Sequence, residues 1–181
     1  MPMFYVIALS RWSLALVFAV AVAGKFRSRA GFAASVRDMV GVTDRAAGRL
    51  AVASIGAEAL AAILLLIPAT GRVGAALAGV LLLSFTLLIL RLILRRETVA
   101  CSCFGASTEP AGWLQVGRNT FLLALAVLSG LAWSPNGMRS GLVTVAFAAV
   151  AVATVVASLD DVVFLLSPAE SRRQPLTGVG R

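Results

Sequence analysis

Several stretches of about twenty mostly apolar residues, separated by short polar segments, constrain this chain more than any other feature. A helix needs roughly 20 apolar residues to cross the hydrocarbon core of a bilayer. Inside that core every backbone N–H and C=O must be paired within the protein, and a helix does this segment by segment. With 60% hydrophobic residues over 181 positions and a mean hydropathy of +0.95, the chain is built for lipid as its solvent. The expected fold class is therefore all-α: a polytopic membrane bundle of about four or five transmembrane helices in one domain, 1–166.

The first span is expected over about 4–23, interrupted by Arg11 and closed by Gly24-Lys25-Phe26-Arg27. A cleaved signal peptide is the competing reading, because Ala21-Val22-Ala23 resembles a small-residue cleavage site, but signal peptides carry their positive charge before the apolar stretch. Here the dense charge follows it. Residues 25–49 form a basic connection in which Phe32, Val36, Met39 and Val40 have the spacing of a short helix lying on the membrane surface. Further spans are expected over about 50–67, 73–94, 113–133 and 141–159, with a tight turn at Pro68-Ala69-Thr70-Gly71. Between the third and fourth lies a polar loop, 97–112, containing both cysteines. The fourth span has a polar beginning, with Gln115, Arg118, Asn119 and Thr120 in its first two turns, so that end packs against protein or lies near headgroups. Residues 167–181 form a basic tail with the composition of a disordered segment.

The net charge of +8 does not point to nucleic acid, because the basic residues flank apolar runs and form no long soluble face. They read as topology signals. With five spans, thirteen Lys and Arg fall on one side and two, Arg72 and Arg139, on the other. The positive-inside rule then places the N-terminus outside a cell (inner) membrane and the 97–112 loop at the cytoplasmic face.

Histidine is absent from the sequence, which removes the commonest general base and the commonest metal ligand. The two cysteines, Cys101 and Cys103, are one residue apart. Two thiols without histidine do not complete a tetrahedral zinc site from ordinary ligands, so no metal is expected. Two extended residues span at most roughly 7 Å, close to the usual Cα separation across a disulfide, and a closure this tight is strained and readily reduced. Arg95, Arg96 and Arg118 lie near the pair in sequence and favour the reactive thiolate. Inert or S-acylated thiols are the bland alternative.

Cys101-Ser102-Cys103-Phe104-Gly105, followed by Gly117-Arg118-Asn119 opening a helix, resembles the signature region of the methylamine utilisation protein MauE family, related to DoxX-like membrane proteins. Arg11, Gly24-Lys25 at the end of the first helix and the intramembrane Glu58 fit the same pattern. The resemblance implies a small multi-pass bundle that exchanges thiols with thioredoxin-like proteins and assists maturation of exported proteins. Its founding members are associated with maturation of the disulfide-rich small subunit of methylamine dehydrogenase. Such chemistry on exported proteins sits uneasily with a cysteine loop on the cytoplasmic side.

Arg11 and Glu58 form a second constellation. Each lies near the middle of its expected span, so antiparallel helices bring them to similar depth, where they can pair. Helix glue is the structural reading; a proton relay or ligand contact is the functional one. Three readings of the whole chain follow. The leading one is a thiol–disulfide exchanger working through Cys101 and Cys103. A membrane scaffold or transporter-like bundle with incidental cysteines is the second. A quinone-linked thiol oxidoreductase, with quinone as cofactor, is the third.

Overall fold

The computed structural model describes residues 2–96, 112–131, 149–151 and 154. Among them the elements are helical: α1 (Pro2–Arg27), α2 (Arg29–Val40), α3 (Asp44–Leu66), a single 3-10 turn (Pro68–Thr70), α4 (Gly71–Arg95) and α5 (Trp113–Leu131). Three stretches are long and apolar enough to cross a membrane, Tyr5–Arg27, Asp44–Leu66 and Pro68–Arg95. The protein is thus a helical membrane bundle. α5 is 19 residues long and carries Gln115, Arg118 and Asn119 in its first two turns. The expected fifth span, the cysteine loop and the tail fall on residues that lie outside the described ones, apart from helical residues 149–151 and 154.

The helices start and stop where local chemistry dictates. Gly41 ends α2 in the left-handed region, at φ 73°, where a side chain is unfavourable, and its N–H donates to the Arg37 carbonyl at 2.8 Å. Pro68 ends α3 by forcing Ile67 into extended backbone (φ −81°, ψ 120°). At the start of α5, Gln115 reaches back to accept a hydrogen bond from the Gly112 N–H at 2.9 Å, which is half of a capping box. α3 begins at Asp44, six residues before the expected span. α1 continues through Arg27, so Gly24-Lys25-Phe26-Arg27 is helix and not a connection.

α1 packs on α3 and α5, α4 on α3 and α5, and α2 on α3. The core joins Leu14, Val17 and Phe18 of α1, Ala61, Ala62 and Leu65 of α3, Ala75, Ala78 and Leu82 of α4, and Leu122 and Ala126 of α5. Small residues let these backbones approach. At Gly74 a Cβ would lie 2.7 Å from the Leu65 nitrogen and 2.8 Å from the Leu64 carbonyl carbon, so only glycine fits there. Leu60, Ile63 and Leu66 on α3 and Val73, Val80, Leu83 and Leu87 on α4 are exposed, as expected of surface that faces hydrocarbon.

Candidate functional site

A carboxylate and an ammonium meet in the interior. Lys25 of α1 and Glu58 of α3 form a salt bridge through Glu58 Oε1, and both side chains are 1% exposed. The Lys25 Nζ also lies 4.9 Å from the ring centroid of Phe32 on α2 and 4.8 Å from that of Phe85 on α4. Both separations suit a cation–π contact. A small cavity of about 20 Å³ adjoins the pair, bounded by Lys25, Glu58, Phe85 and Asn119 with Phe18, Leu82 and Leu122. Asn119 belongs to α5, so each of α1 to α5 contributes a residue to this one locus.

The arrangement corrects the expected pairing of Arg11 with Glu58. Lys25 takes the carboxylate instead, while Arg11 donates from Nε and Nη2 to the Leu65 carbonyl at 3.2 and 2.7 Å and from Nη2 to the Ile67 carbonyl at 2.9 Å. Leu65 lies seven residues beyond Glu58, roughly 10 Å along the helix axis. The physical reason is the broken end of α3. Pro68 leaves the last carbonyls of that helix without intrahelical donors, and in an apolar setting they need partners. Arg11 supplies two of them, Thr70 Oγ1 donates to the Leu64 carbonyl at 3.1 Å, and the positive charge sits at the negative end of the helix dipole. Gly71 is required by the same contact, since a Cβ there would fall on the Arg11 guanidinium.

Lys25 is the residue that sequence reasoning placed wrongly, as a charge in a polar connection. Its signal was length. A lysine one turn inside a helix end has a four-carbon stem that lies along apolar surface, and here it turns inward instead of out to water. On α2, Arg37 binds Asp38 at 2.9 Å and Asp44 at 3.0 Å across the Gly41 turn, all three side chains being exposed. Hydrogen bonding to Asp38, then to Asp44, raises the Arg37 pKa, so this guanidinium is charged throughout the working range.

Of the residues expected to support the cysteines, Arg118 and Asn119 are buried, each 4% exposed. Arg95 closes α4, and Arg96 follows it in the left-handed region at φ 56°, its N–H donating to the Ile93 carbonyl at 3.1 Å. Leu82 and Phe85 share the cavity with Leu122 and Asn119, and α4 packs against α5. Arg96 and Gly112 are the described residues that flank 97–111 in sequence. Cys101, Cys103, Phe104 and Gly105 lie outside the described residues. Among the described residues there is no group of three or more acidic, Cys or His side chains suited to a metal ion.

The family model described as methylamine utilisation protein MauE matches residues 3–134, which include every described helix from α1 to α5 together with the cysteine loop. No curated protein and no solved structure matches the chain significantly.

Proposed function

Because the chain belongs to the methylamine utilisation protein MauE family, we propose that it is a redox-associated membrane protein whose Cys101 and Cys103 exchange a disulfide with a thioredoxin-like partner during maturation of exported proteins. The observation that carries this reading is the Cys101-Ser102-Cys103-Phe104-Gly105 run inside the family-matched region, between α4 and α5 in sequence. In the exchange, the thiolate of one partner cysteine attacks one sulfur of the Cys101–Cys103 disulfide. A mixed disulfide forms and the other sulfur leaves as thiolate. The second partner thiolate then attacks the mixed disulfide and releases both cysteines reduced. Two electrons pass with two protons, and the reverse sequence oxidises the pair again. These are the chain's only cysteines, so a thiol-to-thiol relay across the bilayer needs a second protein.

Arg95 and Arg96 end α4 just ahead of the loop and favour the thiolate form of a nearby cysteine. The positive-inside count favours an inner membrane with this end of the bundle facing the cytoplasm, so electrons would enter or leave through cytoplasmic thiols.

Alkylation followed by intact-mass measurement tests the reading. Two thiols are expected to appear together on mild reduction of the purified protein. Two thiols that stay free under a disulfide-forming glutathione poise would overturn it.

A further inference from the structure

The Lys25–Glu58 pair leaves one buried polar atom unserved. Glu58 Oε1 takes the ammonium; the Ser54 hydroxyl, one turn earlier, lies near the carboxylate but out of line for a well-formed hydrogen bond, and Oε2 accepts none although the side chain is 1% exposed. Buried carboxylate oxygens are seldom left so in a native protein, and an unpaired one calls for a partner. The adjoining cavity of about 20 Å³ is bounded by Lys25, Glu58 and Asn119 as polar groups and by Phe18, Leu82 and Leu122 as apolar ones. A single water needs roughly 10 to 15 Å³ of such space and two to four polar partners. The space admits one water and nothing much larger.

We propose that this cavity is a binding site for one internal water, which donates to Glu58 Oε2 and bridges to the side-chain amide of Asn119. The water completes the satisfaction of the carboxylate and extends its hydrogen bonding from α1 and α3 to α5, the helix that follows the cysteine loop. Exchangeable protons on Lys25, the water and Asn119 then form one connected set in the bundle interior. The site stands independently of any thiol chemistry, because it rests on an unserved oxygen and a cavity of matching size.

Water-resolved NMR on the 15N-labelled full chain in micelles tests it. The sequence holds two asparagines, Asn119 and Asn136, so a second sample labelled with 15N at asparagine alone, compared with its Asn136→Ser variant, assigns the Asn119 amide. The Asn119 NH2 protons are expected to show a cross-peak at the water frequency with opposite signs in the nuclear and rotating-frame Overhauser spectra, the mark of a long-lived water. An Ala21→Leu variant, which fills the cavity from α1, is expected to lose that peak while the other amide signals persist. Absence of the peak in the unsubstituted protein would overturn the proposal, leaving the Ser54 hydroxyl, one turn before Glu58 and within interaction range of its carboxylate, to serve Oε2. Persistence of the peak in a folded Ala21→Leu protein would overturn it equally. If that variant fails to fold, the unsubstituted protein alone decides.

Discussion

Replacing Lys25 by Met keeps an unbranched apolar stem and removes the ammonium, leaving Glu58 as a carboxylate with 1% exposure and no counter-charge. Breaking a buried pair from one side costs about 3–5 kcal/mol, a fall of roughly two to three and a half decades in the folded-to-unfolded ratio. Glu58→Leu strands the ammonium instead, but Lys25 keeps the faces of Phe32 and Phe85. Each is worth about 0.5–2 kcal/mol to a desolvated cation, so this substitution is the milder of the two. The double variant buries no charge at this locus. Well-packed apolar replacement of a buried ion pair is often neutral, and the double variant is expected within about 2 kcal/mol of the unsubstituted protein. Unfolding of the full chain in bicelles by SDS titration, followed through tryptophan fluorescence, gives the four free energies of the cycle. The coupling is expected near the top of the range for residues in contact, about 2–3 kcal/mol. Additivity within about 0.5 kcal/mol would refute the reasoning, because sites that share no partner add to that accuracy.

Arg11→Met removes the donors to the Leu65 and Ile67 carbonyls and is expected to cost about 1.5–3 kcal/mol per charged hydrogen bond lost, read in the same titration. Gly71→Ala pushes the guanidinium off its site and is expected to destabilise by a similar amount. In the Arg11→Met background the same substitution becomes neutral or favourable, because alanine outranks glycine in a helix by about 1 kcal/mol. Gly74→Ala forces α4 away from the backbone of α3 and is expected to cost about 1–3 kcal/mol as overpacking, whatever stands at position 11. Impermeant maleimide added to intact cells is expected to leave Cys101 and Cys103 unlabelled, with labelling after permeabilisation. Efficient labelling from outside would reverse the proposed orientation without touching the fold.

The helices were legible because apolar runs report themselves directly. Pro68 marked the end of α3 to within a residue, and Phe32, the first residue of the α2 pattern, is the one buried. Partnership was not legible, because it depends on register. Arg11 and Glu58 are both central in their expected spans, yet α3 begins at Asp44 and its carboxylate falls opposite the far end of α1, within reach of Lys25. The role of Arg11 was available in principle. A proline that breaks an apolar helix leaves carbonyls that need donors, and Arg11 is the lone charge within the apolar part of the antiparallel neighbour. Gly71 carries no such signal until the guanidinium is placed above it. For the cysteine segment the position is reversed: the sequence motif and the family match carry the reading, and the described helices contribute only the residues that flank it in sequence.

Thiol exchange through Cys101 and Cys103 is the central claim, and trapping the exchange intermediate reaches it most directly. With Cys101→Ser or Cys103→Ser the remaining cysteine can form a mixed disulfide with a partner but has no neighbour to resolve it. Non-reducing electrophoresis and mass spectrometry of membranes from cells expressing either variant are expected to show a reduction-sensitive adduct to a protein of thioredoxin type. Maturation of the exported client should be lost in the same cells. A double-serine variant that supports full maturation, with no adduct formed by either single variant, would contradict the account.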